Sequence, residues 1–411
     1  MSTAASISPI CAESASASQR VVSIDIFRGL TMAVMIFVNA LSEVRGLPWW
    51  TYHAHDNVNA MTYVDMVFPF FLFIVGMSLP LSIAQRLKHN PSMPSLWLHV
   101  VLRSLGLVVL GLILANAESC DPALMPMNGF VWGLLALLCA ALYLNVYPKW
   151  ERFPAYSTLL RCLGFSGVVV LWALFRRTTR TGHIGWIDFS YPEILGLIGL
   201  TYLGAAILYI PTRRWRGAAA AWFVLLASLS ALSTARVITI FDHLPLYIWP
   251  FGDGSLVAIV MAGVLTSSIY LGAGNKIAFK RAMTIAISFG ILTLAAGTAL
   301  IPLGISKNRA TPTWCFYSIG AGVLSFTLLY WLCDVKKRSG WAFFVRSAGA
   351  NTLTTYLLPD FWYFLLGAAG ITFYDAHFSH GWQGVVKTFA FTFFILGISW
   401  LVTKAKIRLQ F

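Results

Sequence analysis

The densest group of titratable side chains in the sequence lies in the loop that follows the first long apolar run. It contains His53, His55, Asp56 and Asp65. A histidine can act as a general base near neutral pH, and a nearby carboxylate fixes its tautomer and raises its basicity. A structural interpretation also fits, because loop histidines are commonly solvated and Thr62 with Asp65 makes a capping-box pattern. From this chemistry alone, catalysis and plain solvation both remain open.

The first apolar run carries three further polar residues. Asp25 and Arg28 stand three positions apart. They can form a local ion pair that anchors the helix at the membrane interface, or Arg28 can hold a phosphate on the cytoplasmic side. Asn39 lies inside the same run, where its amide needs a partner, and helix packing is the simpler account.

Two later features carry charge in unusual places. Asp360 stands inside an apolar run, where ionisable residues are costly and usually mark a functional interior. Residues 306–309, which include Lys307 and Asn308, form a basic loop on a side of the protein where we expect few basic residues. This loop can bind an anion, or it can be a solvated turn.

The sequence predicts no metal site and no disulfide. His53 and His55 have no third ligand at helical spacing. The six cysteines contain no Cys-x-x-Cys pair, and four of them lie within or at the ends of apolar runs.

The composition determines what kind of element must position these residues. The 411 residues are 58% hydrophobic and only 11% charged, with a mean hydropathy of +0.74. A water-soluble chain carries roughly a quarter charged residues. The net charge of +14 comes from short basic clusters between apolar runs, which favours contact with anionic lipid head groups over nucleic acid. We therefore predict a polytopic membrane protein.

The apolar runs predict an all-α transmembrane helix bundle, because lipid offers no hydrogen-bond partner to an open backbone and a helix satisfies its own. A membrane-spanning helix needs about 20 apolar residues. We predict about twelve helices, with a range of ten to twelve, since the fifth to seventh runs are the weakest. The runs lie near 26–44, 64–85, 97–117, 130–147, 158–175, 193–211, 218–238, 255–274, 281–302, 314–333, 350–370 and 386–403.

The basic residues predict that both termini lie in the cytoplasm, because cytoplasmic loops carry the excess of Lys and Arg. The opposite loops keep few of them, with residues 176–180 as the exception, and the loop 45–63 then lies on the outer face. Residues 1–19 are rich in Ser and Ala and predict a disordered cytoplasmic tail, and 20–411 predict a single transmembrane domain. The predicted inner residues are Arg20, Arg28, Arg86, Lys88, Lys149, Arg152, Arg213, Arg214, Arg216, Lys276, Lys280, Arg281, Lys336, Lys337, Arg338, Lys404, Lys406 and Arg408.

Two long blocks make the sequence similar to a known family. The first is RVVSIDIFRGLT at 20–31, followed by Asn39, and the second is DMVFPFFLFIVGMS at 65–78. With them, the chain resembles the catalytic-domain family of heparan-alpha-glucosaminide N-acetyltransferase and its bacterial, DUF5009-like relatives of unknown function. Further matching blocks follow in order at 191–199, 302–308, 311–312 and 349–353.

The resemblance implies a multi-pass acyltransferase of a bacterial inner membrane. Such an enzyme takes an acetyl group from cytoplasmic acetyl-CoA and delivers it to an amine or hydroxyl of an extracytoplasmic amino sugar or glycan. Membrane lipid, acetyl-CoA and the acceptor are then its partners, no nucleic acid is expected, and a homodimer is left open. The family places a catalytic histidine in the outer loop after the first family helix, which agrees with the independent orientation from Lys and Arg.

The resemblance leaves two histidines to choose from. The family pattern, roughly His-x-x-x-Asn-Gly-x-Thr, matches Thr62, Asn59 and then His55 when it is counted back from the aspartate of the second helix. The His-Ala dipeptide common in the family points instead to His53. We prefer His55 because it needs no insertion.

The other candidate residues are carried over from matching motif positions. Asp65, or else Asp56, would orient the histidine, and Asn39 would bond the acetyl carbonyl. Acetyl-CoA binding is carried over to Arg28, Asp25, Lys307, Asn308 and Asn351.

Some positions depart from the family, which keeps a second function open. A Gly-x-x-Gln-Arg block expected at the fourth helix is replaced by 129–133, and Val58 and Ala60 replace an aromatic residue and a glycine. A large luminal domain is missing, so heparan itself is not the expected acceptor. The alternative is a transporter or flippase of an envelope precursor, which twelve helices and Asp360 would suit, although no inverted repeat is visible. A scaffold without activity is the third hypothesis.

Overall fold

The computed structural model describes residues 21–55, 57–148, 155–215, 217–241, 253–271 and 276–410. The tail predicted at 1–19 and the Asp56 carboxylate lie outside these described residues. Within them, helices joined by short loops account for nearly all of the regular structure, together with one short antiparallel strand pair. The helices are α1 Val22–Leu41, α2 Val67–His89, α3 Met93–Ala117, α4 Gly129–Leu144, α5 Tyr156–Leu174, α6 Glu193–Thr212, α7 Ala218–Thr234, α8 Ser255–Leu271, α9 Lys276–Ala299, α10 Pro312–Tyr330, α11 Phe343–Ala350, α12 Thr352–Ala368, α13 Phe373–His377 and α14 Gly381–Lys404; the strands are β1 Arg177–Thr178 and β2 Ile184–Gly185.

Each of the twelve predicted apolar runs coincides with a helix, namely α1 to α10, α12 and α14. Among the described residues, eight helices are long and apolar enough to cross a membrane, and α4, α7 and α8 are shorter apolar helices. The helical membrane-protein class is therefore confirmed. The number of spans and the cytoplasmic placement of both termini stay predictions. The short helices α11 and α13 were not predicted.

Helix starts follow local chemistry at several loops. The Asn128 side chain accepts a hydrogen bond from the Val131 N–H at 2.9 Å and caps α4. Ser92 stands at the N-cap of α3, and Pro312 occupies the first turn of α10. A capping oxygen satisfies an unpaired helix N–H, and proline is tolerated there because its missing N–H has no intrahelical partner.

Glycines allow the central helices to approach one another closely. A Cβ atom at Gly76 would collide with the backbone of α8, and one at Gly263 would collide with the backbone of α2. A Cβ atom at Gly29 of α1 would likewise collide with the backbone of α11, and one at Gly349 of α11 would collide with the backbone of α1. Small residues at such contacts let helices pack in lipid, where no hydrophobic effect drives them together.

The helices divide into central and peripheral ones. In the span Tyr63–His89, which contains α2 and which we call the α2 span, 61% of the most apolar stretch is buried, whereas the share for α5 is 11%. Helices α1, α2, α8 and α10 meet around buried side chains such as Phe73, Met77 and Phe326. The loops that carry His53 and Lys307 lead into the starts of two of these helices, α2 and α10.

Candidate functional site

The loop between α1 and α2 is tied down before it reaches its histidines. The Tyr52 hydroxyl donates to the Val44 carbonyl at 2.6 Å and so closes the first part of the loop. The Arg45 N–H donates to the Ser379 carbonyl at 2.8 Å, which joins the loop to the segment before α14. These bonds position the following residues, including His53, against the start of α2.

Asp65 organises the loop from the first turn of the α2 span. The Asp65 Oδ1 atom lies 2.7 Å from His53 Nδ1. Its Oδ2 atom accepts the backbone N–H groups of Ala54 at 3.2 Å and Thr62 at 3.0 Å, and also the Thr62 hydroxyl at 3.3 Å. The carboxylate is thus buried and fully hydrogen-bonded, as a buried charge must be. The predicted capping box and the predicted histidine–carboxylate pair turn out to use the same aspartate.

His53 is held on one side and open on the other. Its side chain is 42% exposed, whereas the Asp65 side chain is 2% exposed. When a carboxylate accepts the Nδ1 proton, the lone pair remains on Nε2, and the imidazolium that forms after proton uptake is stabilised. The pair therefore has the arrangement of a general base with its orienting acid.

Lys307 reaches the same histidine from the loop between α9 and α10. Its Nζ atom lies 3.4 Å from His53 Nδ1 and 3.5 Å from His53 Nε2. Burial lowers the pKa of Lys307, while the charges of Asp65 and Glu193 act in the opposite direction. We call His53, Asp65 and Lys307 the histidine cluster.

The two loops that carry this cluster also hold each other. The Arg309 guanidinium donates to the Asn59 side-chain oxygen at 2.7 Å. Gly304 has a φ of +84°, and a Cβ atom there would lie 2.8 Å from the same Asn59 oxygen. A glycine is required at this turn both for its backbone conformation and for the close approach.

Trp314 joins the cluster to the core. Its indole N–H donates to the Asp65 backbone carbonyl at 3.0 Å, and its ring is fully buried and stacked on Phe68. The start of α10 is thereby fixed against the start of α2. The loop that carries Lys307 ends one residue before α10, so this contact also limits where Lys307 can lie.

A second polar group lies deeper in the bundle. The Tyr356 hydroxyl of α12 donates to Glu193 Oε2 at 3.2 Å, at the first residue of α6. Asp360 follows one turn after Tyr356 on α12. Sequence reasoning singled out Asp360 but assigned no role to Tyr356 or to Glu193, although Glu193 lies in the matching block at 191–199, because a glutamate at a helix start and a tyrosine in an apolar run are both ordinary residues there.

The structure places the other predicted catalytic residues apart from this arrangement. His55 is exposed, and the Asp65 carboxylate contacts His53 rather than His55. Asn39 is exposed on the last turn of α1, where its backbone carbonyl accepts the Ser42 hydroxyl at 2.6 Å. The motif spacing favours His55 and the carboxylate contact favours His53, so the identity of the catalytic histidine stays a prediction.

The predicted ion pair of Asp25 and Arg28 lies near the start of α1, at the other end of the helix from Asn39. Arg28 Nη2 donates to the Ser78 hydroxyl at 2.7 Å and Nη1 donates to the Gly349 carbonyl at 3.2 Å. Asp25 lies 3.6 Å from Arg28, so the predicted local ion pair is confirmed. We call Asp25, Arg28 and Ser78 the arginine cluster. It lies 13 residues from Asp65 along α2, which corresponds to about 20 Å of helix.

The remaining predicted donor-binding residues differ in their surroundings. Asn308 is exposed beside Lys307. Asn351 is buried, and its amide donates to the Ile407 carbonyl at 2.8 Å and accepts the Thr354 hydroxyl at 2.6 Å. The bond to Ile407 holds the segment after α14 against the start of α12.

The position of the missing Gln-Arg block is filled by packing residues. Trp132 is fully buried and donates to the Leu171 carbonyl at 2.9 Å, and Gly133 lies against the Phe364 ring. Within the described residues, no group of three or more His, Cys, Asp or Glu side chains is arranged to hold a metal ion.

Comparisons with known proteins agree with the expected family. A family model described as a domain of unknown function (DUF5009) matches residues 20–267. The heparan-alpha-glucosaminide N-acetyltransferase of Mus musculus is 37% identical over 105 residues, which is 26% of this chain and 15% of that protein. The protein of the same name from Homo sapiens is 37% identical over 101 residues, or 25% of this chain and 14% of that protein. The chain therefore matches only about a seventh of the length of these curated relatives.

Proposed function

The chain belongs to the DUF5009 family, and on that premise we propose that it is a membrane-embedded acyltransferase. It moves an acetyl group from acetyl-CoA on the cytoplasmic side to an amine or hydroxyl of a sugar on the other side. The observation that carries the proposal is the 2.7 Å contact between His53 and a buried, fully hydrogen-bonded Asp65, with the Lys307 amine beside the same ring.

His53 is the general base of this reaction. Its Nε2 atom takes the proton from the acceptor as the acceptor nitrogen or oxygen attacks the thioester carbonyl. The C–S bond then breaks, and the imidazolium returns the proton to the departing CoA thiolate. Asp65 stabilises the imidazolium in between.

Lys307 supplies positive charge to the same step. The carbonyl oxygen of the thioester becomes negative as the tetrahedral intermediate forms. An ammonium group in a partly buried site stabilises that charge far better than water does. Lys307 suits this role because it approaches both ring nitrogens of His53 within 3.5 Å.

The arginine cluster would bind the donor, acetyl-CoA. A guanidinium matches the geometry of a phosphate and stays charged when partly buried. Arg28 and Asn39 are separated by about 16 Å along α1, so a long pantetheine arm that starts at Arg28 can bring its thioester toward Asn39. We also assign acetyl-CoA binding to Asp25, Asn308 and Asn351, and this assignment rests only on their motif positions.

The sidedness of the reaction rests on the basic residues. Their distribution supports a cytoplasmic arginine cluster and an outer histidine cluster, the arrangement that a bacterial inner-membrane enzyme with an extracytoplasmic acceptor requires. The relatives are named for an amino-sugar acceptor, and we propose an amino sugar or glycan as the acceptor class here.

The transporter alternative is not favoured. The curated relatives that match are transferases by name, and the histidine cluster offers proton chemistry that transport alone does not need. Asp360 remains compatible with either function, because an acidic residue in the bundle interior suits a substrate cavity as well as an ion path.

The test is a transfer assay with purified protein in detergent, radiolabelled acetyl-CoA and a panel of amino sugars. We expect label on at least one amino sugar, with release of free CoA in equal amount. Binding of acetyl-CoA without turnover on any sugar would point to a different acceptor or acyl chain. Absence of acetyl-CoA binding would overturn the proposal and return weight to transport.

A further inference from the structure

An exposed pair of aromatic side chains lies in the same loop as His53. The Trp50 and Tyr63 rings are in contact, with their centroids 6.5 Å apart and their planes tilted by 55°. Trp50 is 54% exposed and Tyr63 is 40% exposed, so both rings keep a large part of their apolar surface uncovered. We call Trp50 and Tyr63 the aromatic pair. The proton chemistry proposed for His53 does not use it.

Three contacts join the two ends of this loop side by side. The aromatic pair is the first, the bond from the Thr62 hydroxyl to the Tyr52 carbonyl at 2.8 Å is the second, and the 2.7 Å contact of His53 with Asp65 is the third. One member of the aromatic pair precedes His53 by three residues, and the other precedes Asp65 by two. Three extended residues span at most about 10 Å, so the backbone of the aromatic pair lies within that distance of the base and its orienting acid.

The surroundings of the aromatic pair favour a water-soluble ligand over lipid. Trp and Tyr also anchor proteins at the membrane interface, and that simpler role suits the neighbouring Trp49, which is 66% exposed. Among the described residues, the Trp49 ring has no aromatic partner. The aromatic pair instead belongs to a polar loop, in which His55, Asn57 and Asn59 are exposed together with His53.

Charge alone gives the histidine cluster little hold on an amino sugar. The Lys307 amine lies 3.4 Å from His53, and Asp65 already accepts hydrogen bonds from His53, Ala54 and Thr62. A nearby cation disfavours an ammonium group and favours the neutral amine, which is the form that attacks a thioester. The affinity for the sugar must therefore come from uncharged contacts, and the aromatic pair offers such a contact.

We propose that the aromatic pair is the subsite for the sugar ring of the acceptor, which it holds while the sugar amine reaches His53. This inference rests on the proposed function, because it names the residues that bind the acceptor of that reaction. One face of a pyranose ring presents C–H groups, and these pack against the electron-rich face of an aromatic ring. An amino group projects from the edge of the sugar ring, where it can reach the neighbouring base.

Four variants separate stacking from a structural or a membrane role. Trp50→Ala removes one ring, whereas Trp50→Phe keeps an aromatic face at the same position. Tyr63→Phe keeps its ring and loses only the hydroxyl. Trp49→Ala is the matched control, because it removes an exposed tryptophan one residue away that lies outside the aromatic pair. Both tryptophans are exposed, so neither alanine variant is expected to unfold the protein.

The first measurement is saturation-transfer NMR with glucosamine as the probe and free CoA in place of acetyl-CoA, so that no acetyl transfer occurs. We expect the dissociation constant for glucosamine to rise about tenfold in Trp50→Ala, the loss of one stacked aromatic contact. It should stay near the wild-type value in Trp50→Phe, Tyr63→Phe and Trp49→Ala. No signal in the wild type, or equal constants in the wild type and Trp50→Ala, would overturn the inference. Equal rises in Trp50→Ala and Trp49→Ala would assign both tryptophans to the membrane interface and would also overturn it.

The second measurement is the steady-state kinetics of acetyl transfer to glucosamine. Trp50→Ala should raise KM for glucosamine about tenfold with kcat little changed, because the ring contact is the same before and during transfer. KM for acetyl-CoA should not move. A fall in kcat with an unchanged KM would mean that Trp50 only supports the loop that carries His53, which contradicts the inference.

The two measurements also separate this inference from the proposed function. Glucosamine binding that depends on Trp50, in a protein that transfers no acetyl group, would sink the proposed function and leave the sugar subsite intact. A wild-type enzyme that acetylates glucosamine, with a KM that does not respond to Trp50→Ala, would sink the inference alone.

Discussion

The histidine cluster and the arginine cluster are separated by about 20 Å along α2, and they differ in kind. His53 and Lys307 can both gain or lose a proton and come from loops. Arg28 keeps its charge at any pH that a protein survives, and it lies within α1 between Ser78 of α2 and the Gly349 carbonyl of α11. The histidine cluster is suited to moving protons, and the arginine cluster is suited to holding an anion.

The two clusters also differ in how they are supported. The arginine cluster stands where α1 and α11 touch through glycines, so its position is set by helix packing. The histidine cluster depends on hydrogen bonds that Asp65 accepts and that Tyr52 and Trp314 donate, and these bonds hold the loops in place. A loop-borne site is easier to disturb by a single lost hydrogen bond, and the substitutions below use that contrast.

The largest effect is expected at His53. His53→Ala should lower kcat by about 10²–10⁴-fold, the usual contribution of a general base. His55→Ala is the matched control, two residues away in the same loop, and should leave kcat within a few-fold of the wild type. The measurement is acetyl transfer with saturating acetyl-CoA. The reverse result, with His55→Ala inactive and His53→Ala active, would show that His55 is the catalytic histidine, as the motif spacing predicts.

The next effect is expected at Asp65. Asp65→Asn keeps the shape of the side chain but removes the charge that fixes the His53 tautomer, and a loss of roughly 10²-fold or more in kcat is expected from comparable pairs. KM for the donor should stay nearly unchanged, since the arginine cluster lies about 20 Å away along α2. Thr62→Val is the control, because it removes the hydroxyl contacts to the Tyr52 carbonyl at 2.8 Å and to Asp65 at 3.3 Å without changing the charge of Asp65. Equal losses in both variants would show that only the loop fold matters.

The opposite kinetic signature is expected at Arg28. Arg28→Gln should raise KM for acetyl-CoA by about tenfold, the size of a lost charge-assisted hydrogen bond, with kcat little changed. Ser78→Ala should do less, because it removes an orienting partner and not the charge. Steady-state kinetics with varied acetyl-CoA provides the measurement. A fall in kcat without a change in KM would move Arg28 out of donor binding.

The sequence predicted the helices better than the site, for a physical reason. Lipid forces every apolar run to be helical, so α1 and α2 could be located from composition alone. The choice between His53 and His55 depends on how a loop folds back onto Asp65, and spacing cannot decide that. His53 and Lys307 are 254 residues apart in the chain, and only the packing of the helices brings the Lys307 amine to 3.4 Å from the His53 ring.

The smallest effect is expected from Trp314, and it tests whether the support of the histidine cluster matters for activity. Trp314→Phe removes one buried N–H bond to the Asp65 carbonyl and should cost about 1 kcal/mol of stability. Trp132→Phe is the matched control, since Trp132 is equally buried and donates to the Leu171 carbonyl. Thermal unfolding in detergent should show similar losses for both variants. Only Trp314→Phe should also lower kcat, because it alone loosens the start of α2 against α10; equal activity in the two variants would mean that the position of Asp65 is set by its side-chain bonds alone.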